Sequence, residues 1–405
     1  MRAPEKAAAA TARFLRTHWL LIVLVLLAIG VSVQRLVLGK QNTFRIFRYA
    51  FPNLLAGADL YTGHPGQHHD FFRYSPTFAL AFAPFSVVPE WLGLIAWNTV
   101  NALALYWAVS RLLPRRESQL VLLLAMGDLA RAMQSCESNA LVTGLMIAAF
   151  LSYEAGRLWR GALAVVGGTA IKLFPVGAGL FALLRRDRRR AFGALAVVGV
   201  VLVLLPAVVI GPHALLDQYL NWFSREQHHD HKPMFSVMDL AFEWTGYTGS
   251  HLPFQLTGLA VLFLPALLRR DALADPGWRR LLLCSLLGFS LLFNYGAEPP
   301  TYIISTTAIA VWFATGRRTA LRTALVAVTL AVTTGSDLDL WPHRFRLEVM
   351  DPLGARVIPV LLAWLWMQAD LLRWRRFGPA LAAKLAADAA DPSVASAFGE
   401  RAAAA

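Results

Sequence analysis

The chain has 405 residues, 57% of them hydrophobic and only 16% charged, with a formal net charge of +13. A soluble protein of this size keeps more charge for its surface, so these proportions and a positive mean hydropathy exclude an ordinary soluble domain. The basic excess does not signal nucleic acid. It comes as short clusters at the ends of apolar runs, such as Arg185-Arg186-Asp187-Arg188-Arg189-Arg190, with no basic groove interleaved with aromatics.

The recurring apolar runs of membrane-spanning length predict an all-α, polytopic integral membrane protein. Residues 1–18, with Arg2, Lys6, Arg13 and Arg16, read as a cytoplasmic segment ahead of a retained first helix from Trp19. No small-residue cleavage site follows it. Predicted spans are 19–38, 74–88, 90–112, 118–133, 139–155, 161–183, 191–211, 252–268, 281–295, 300–316, 320–335 and 357–373. The 74–88 run is short for ~30 Å of hydrocarbon. It is counted because five crossings would otherwise precede Arg185–Arg190 and leave that cluster outside. The expectation is about twelve crossings within a transmembrane domain over 19–373. The alternative has ten, with 74–88 interfacial and 161–183 a re-entrant hairpin at Lys172-Leu173-Phe174-Pro175. The two differ on the side of the membrane that residues 134–139 occupy.

In both arrangements loops 40–73, 212–251, 294–300 and 336–356 lie on the outer face, and 374–405 is an alanine-rich cytoplasmic tail. Nine of the ten histidines fall in these loops: His64, His68, His69, His213, His228, His229, His231, His251 and His343. Histidine avoids lipid, but the inner loops have none, so the asymmetry points to an outward-facing polar site. The two cysteines, Cys136 and Cys284, read as buried unpaired thiols without metal-ligand spacing.

The first outer loop concentrates polarity against the bilayer. Asp59 and Tyr61 lie in Gly57-Ala58-Asp59-Leu60-Tyr61, after an amphipathic stretch from Phe44 to Leu55. His69, Asp70, Arg73 and Tyr74 precede Ser75-Pro76, where a proline suits the first turn of the next helix. Asp59 capping a turn and Asp70 pairing with Arg73 are the plain structural readings. Gln134 and Asn139 bound a polar hexapeptide that also reads as a helix–helix turn. Lys172 is the one lysine deep in an apolar run. A central lysine costs at least ~2.5–3.5 kcal/mol, so it is expected to face a polar cavity or an anion, and phosphate suits it. His228-His229-Asp230-His231-Lys232 resembles metal ligands, but consecutive side chains do not all converge. A phosphate or sugar contact is preferred there, and no metal or cofactor is expected. Glu298 precedes Pro299-Pro300 at a helix N-terminus, where the dipole favours a carboxylate, and Tyr302 follows.

Taken in order, several of these segments resemble glycosyltransferase family 87, whose members are similar to polyprenyl-phosphate-mannose-dependent mannosyltransferases of the GT-C fold. The segments are Gly57-Ala58-Asp59-Leu60-Tyr61, Phe72-Arg73-Tyr74-Ser75-Pro76-Thr77-Phe78-Ala79-Leu80, Trp97-Asn98-Thr99-Val100-Asn101, Gln134 with Asn139, Ile171-Lys172-Leu173-Phe174-Pro175 and Ala297-Glu298-Pro299-Pro300-Thr301-Tyr302. The match covers most of the chain, from about 42 to 373. The resemblance implies a GT-C-like bundle in a bacterial inner membrane. It would transfer a sugar, mannose by default, from a polyprenyl phosphate to a cell-envelope glycan or lipid on the periplasmic side. A carboxylate of the first loop, Asp70 before Asp59, would act as base. Lys172, Arg73 and His69 would hold the donor phosphate. Tyr61, Tyr74, His228, His229, Glu298, Tyr302, Gln134 and Asn139 would contact substrate. No metal is required for so weakly charged a leaving group. The family often carries an aspartate early in this loop, where this chain has Gln41-Asn42-Thr43-Phe44. A lipid transporter or flippase using Lys172 as counter-charge, or an inactive relative, are the competing expectations.

Overall fold

The computed structural model describes residues 3–227, 235–337 and 340–374, and among them every regular element is helical. In chain order these are α1 (Ala3–Val37), α2 (Asn42–Leu55), α3 (Pro76–Ala81), α4 (Ala83–Ser86) and α5 (Glu90–Leu112). Next come α6 (Arg115–Leu124), α7 (Met126–Gln134), α8 (Asn139–Glu154) and α9 (Leu158–Ile171). A 3₁₀ turn over Phe174–Gly179 leads to α10 (Leu180–Leu183). The second half begins with α11 (Arg188–Leu204), α12 (Ala207–Ile210), α13 (Pro212–Gln227) and α14 (Val237–Thr245). It continues with α15 (Leu252–Leu268), α16 (Pro276–Leu292), α17 (Tyr302–Thr315) and α18 (Ala320–Val332). The short α19 (Thr334–Asp337) and α20 (His343–Phe345) precede α21 (Val357–Leu372). Among the described residues three stretches are long and apolar enough to cross a membrane by length and composition: His18–Val37, Glu90–Leu112 and Arg188–Ile210. Shorter apolar helices accompany them, including α8, α15 and α21.

The core lies where α17 is enclosed by its neighbours. Nearly every residue of α17 is buried, so it is apolar around its whole circumference rather than along one stripe. Its own Trp312 is buried in the same core as Trp278 and Trp364. By contrast α11 and α12 leave a broad apolar surface uncovered, with Val200, Val201 and Leu204 of the first and Val208 of the second all exposed. That surface suits lipid.

Hydrogen bonds sort the helix ends into two groups. At one end Gln134 donates to Gln34 (3.2 Å), Gln41 to Glu90 (3.0 Å) and Asn139 to the Pro300 carbonyl (3.0 Å). Ser75 donates to the Ala170 carbonyl (2.6 Å) and Thr77 to that of Leu202 (2.7 Å). At the other end Arg279 pairs with Glu154 (2.6 Å), and Arg185 donates to the Tyr153 carbonyl. Arg269 there reaches the Leu372 carbonyl (2.5 Å), and Trp374 reaches Asp275 (2.7 Å). We call these the site end and the arginine end.

Two expected crossings are corrected by this sorting. The 74–88 run forms only α3 and α4, with Pro84 beside the break, and both of its ends are tied to the site end. Ser75 bonds Ala170, while Arg48 of α2 donates to the carbonyls of Phe85 (3.1 Å) and Val88 (2.6 Å). Such a segment turns back rather than crossing. The 161–183 run is a hairpin rather than one span. Pro175 has no N–H and crowds the carbonyl four residues earlier, so α9 stops at Ile171. The 3₁₀ turn then folds back so closely that a Cβ on Gly168 would meet the Pro175 ring at 2.9 Å. With both corrections residues 134–139 join the site end, as in the ten-crossing arrangement. Arg111, Arg115 and Arg116, outside in the twelve-crossing count, fall at the arginine end.

Candidate active site

The site is built on a turn. Helix α7 ends in a Schellman motif, in which Cys136 N–H donates to Met133 O and Glu137 N–H to Ala132 O, both at 3.0 Å. The motif places its pivot residue in the left-handed region. Here that residue is Cys136, at φ 56°, rather than glycine. A side chain there costs roughly 1–2 kcal/mol, and the surrounding structure holds it in place. Trp97 of α5 donates to the Cys136 carbonyl (2.9 Å), Asn98 to the Met133 carbonyl (3.3 Å), and Asn101 accepts from Leu141 N–H (3.0 Å). Trp97, Asn98 and Asn101 thus clamp the turn through its backbone.

Held this way, the turn presents Glu137 and Asn139 to Lys172, which occupies the break after α9. Lys172 Nζ donates to Glu137 Oε2 (3.1 Å) and to Asn139 Oδ1 (2.8 Å). Tyr74 donates its hydroxyl to the same Glu137 oxygen (3.2 Å), and its ring lies 6.0 Å from the ammonium. Only 21% of the lysine and 12% of the glutamate side chain remain exposed, so solvent screens the pair less than an open surface pair. Asn139 is fully buried and spans from Lys172 to the Pro300 carbonyl, joining the 294–300 loop to the cluster.

Glu298 lies in that loop, just before Pro299. Its carboxyl is held above the ordinary carboxylate range, first by burial and then by the facing Glu137, while Lys172 and Arg73 pull it back; Asp70 adds to the upward push. The residue is nonetheless exposed to solvent. Asp70, Arg73, Glu137 and Lys172 all act on one carboxyl at one end of the bundle.

The first outer loop is folded, not extended. Phe47, Phe72, Tyr74, Phe78, Phe82 and Trp97 form one aromatic cluster beneath it, with ring centroids 4.8 Å apart for Phe47–Tyr74 and 4.9 Å for Phe82–Trp97. From the other side α13 grips it. Gln218 donates to the Ala58 carbonyl (2.9 Å) and accepts from Leu60 N–H (3.2 Å), and Trp222 donates to the Arg73 carbonyl (3.2 Å). Asp70 stands at the rim, its side chain 57% exposed and 3.8 Å from Arg73, while Oδ1 accepts from Phe71 N–H (2.7 Å). Beside it His68 is buried, which pushes its ring toward the neutral form, and Nδ1 donates to the Asp70 carbonyl (2.6 Å).

The other residues singled out from the sequence are dispersed. Asp59 accepts from Tyr61 N–H (2.9 Å), the turn-capping arrangement, and is not among the groups acting on Glu298. Tyr61 is buried and donates to the Tyr74 carbonyl (2.8 Å). The His69 side chain is exposed, and its N–H donates to Asn42 Oδ1 (2.9 Å). That bond gives the Asn42 amide a structural part. Gln134 bonds Gln34, away from Lys172. Tyr302 is buried, with its hydroxyl on the Phe235 carbonyl (3.3 Å). His228 and His229 lie outside the described residues. Glu137, the centre of the cluster, was not singled out, because in sequence it is one polar residue of a turn.

Among curated proteins no match to the chain is found. A family model does match, over residues 71–294, more than half of the chain; this stretch contains Arg73, Tyr74, the 134–139 turn, Lys172 and α13, and it ends where the Glu298 loop begins. On that match the chain belongs to glycosyltransferase family 87.

Proposed function

We propose that this protein takes a sugar from a polyprenyl-phosphate donor, mannose by the family's default, and delivers it to a hydroxyl of a cell-envelope glycan or lipid. The observation that carries this reading is the convergence of Lys172, Glu137, Asn139, Tyr74 and Glu298, from four separate segments, at one end of the bundle. The bond from the anomeric carbon to the phosphate oxygen breaks as the acceptor oxygen bonds that carbon. Negative charge gathers on the departing polyprenyl phosphate, and a fixed ammonium with a nearby guanidinium stabilises it. Lys172 and Arg73 have these roles. Asp70, open to solvent at the rim and paired with Arg73, takes the acceptor proton. Glu298 is the second candidate base, favoured by its raised proton affinity.

The arginine end faces the cytoplasm and the site end the periplasm, since basic residues crowd cytoplasmic helix ends. Ten crossings and the re-entrant pair of α9 and α10 then put Lys172 near the outer surface, within reach of a lipid headgroup.

Membranes containing the protein should move labelled mannose from polyprenyl-phosphate-mannose to a lipid or glycan fraction, and a screen of other polyprenyl-phosphate sugars tests the default. Asp70→Asn should lower transfer by ~10²–10⁴-fold with unchanged protein level, the usual weight of a general base. Undiminished transfer removes Asp70 from that role. Absence of transfer from every polyprenyl-phosphate sugar removes the donor assignment.

A further inference from the structure

An ammonium has three N–H donors arranged around a tetrahedral nitrogen. Two of the three on Lys172 are occupied, by Glu137 at 3.1 Å and by Asn139 at 2.8 Å, and both acceptors come from the 134–139 turn. The turn is built rigidly for a loop. Cys136 is held in the left-handed region, Trp97 and Asn98 hold the backbone on one side of it, and Asn101 holds it on the other. Tyr74, from the first outer loop, fixes the same Glu137 oxygen. A lysine stem has four rotatable carbons and ordinarily samples many positions, so two short bonds to fixed acceptors restrict where its charge points.

We propose that Glu137 and Asn139 form a positioning pair, which fixes two of the Lys172 N–H bonds and leaves the third for an anionic phosphate oxygen. Glu137 is a positioning residue, since it acts on substrate through the lysine. This rests on the reading of Lys172 as the phosphate contact and adds the reason for the polar turn. The strained Cys136 linkage is what turns the Glu137 side chain toward α9. A glutamine at 137 keeps the size but offers a neutral acceptor, so the lysine swings free more often.

The chain has five lysines, Lys6, Lys40, Lys172, Lys232 and Lys384, so acylation of each is separable by peptide mass spectrometry. The purified full chain is treated at one fixed pH with a small amine-reactive acylating agent, alone, with a short-chain polyprenyl phosphate, or with the same polyprenol lacking phosphate. In the wild type Lys172 should react slowly, and the phosphate but not the alcohol should slow it further. In Glu137→Gln acylation of Lys172 should rise several-fold relative to Lys40, and protection by the phosphate should fall. Glu137→Asp, which keeps the charge, should recover part of the protection. Equal acylation in wild type and Glu137→Gln overturns the proposal, as does equal protection by phosphate and alcohol. Should Glu137→Gln fail to accumulate, Asn139→Ala removes the other acceptor and is read in the same way. The labelling needs no sugar transfer. A wild-type protein that transfers nothing therefore sinks the proposed reaction and leaves this result standing, and unchanged labelling in an active protein does the reverse.

Discussion

Glu298 is the residue whose titration has consequences for both stability and activity. Its carboxyl binds a proton more readily in the folded protein than an ordinary glutamate, through burial and the facing Glu137. The sign follows. Nothing is lost below the ordinary glutamate range near about 4.3, and ionising the group costs stability as pH rises through its raised value. Glu298→Gln, neutral throughout, should therefore raise the thermal midpoint at pH 7 and leave it almost unchanged at pH 4, measured by unfolding in detergent. The same residue decides between the two candidate bases. Where Glu298 takes the acceptor proton, the acid limb of the pH–rate profile lies above the ordinary glutamate range, Glu298→Gln is inactive, and Asp70→Asn retains transfer. With Asp70 as base the two variants exchange behaviour.

At the scale of elements, short polar segments position the site while the long helices support them. The 134–139 turn, the break after α9, the loop containing Glu298 and the first outer loop each contribute groups, and α5 and α13 anchor the turn and the first loop without contributing any. Cys136 shows how tightly one such anchor is drawn. A β-branched side chain tolerates the left-handed region less well than an unbranched one, so Cys136→Val should lower stability by about 1–2 kcal/mol. It should also misplace Glu137 and reduce transfer. Thermal unfolding together with the transfer assay checks both effects, and a variant as stable and active as the wild type would show that the turn carries no strain. Helix α13 works in the same manner from above. Its Gln218 and Trp222 hold residues 58–73 by backbone atoms, while Leu216, Leu220 and Phe223 on the other face are exposed.

For the whole molecule, the two-ended sorting of hydrogen bonds makes a direct topological prediction. A cysteine placed at Ser135 should react with a membrane-impermeant thiol reagent from the same side as one at Gly63. Cysteines at Arg116 and Gly156 should react from the opposite side. Native Cys136 and Cys284 are buried and give little background. Labelling of position 116 from the same side as 63, with 135 reacting from the opposite side, would restore the twelve-crossing arrangement. Much of this was legible in the chain. The all-helical class, the first helix, Pro76 in the first turn of α3 and the need of Lys172 for polar partners follow from local composition and order, and the family from the segments that resemble it. The side on which 134–139 lies did not follow, because hydropathy counts apolar residues and does not distinguish a crossing from a segment that returns.

The sequence by itself determined what each segment is made of. Apolar runs must be helices because no water satisfies their backbone in lipid, and a lysine among apolar residues must find polar company. Only the tertiary structure decided which company. Glu137 and Asn139 lie 35 and 33 residues from Lys172, and Tyr74 and Pro300 lie farther still. Bonds over such separations depend on how the helices pack, and nothing in the local pattern of a turn tells a partner-holding glutamate from a solvated one.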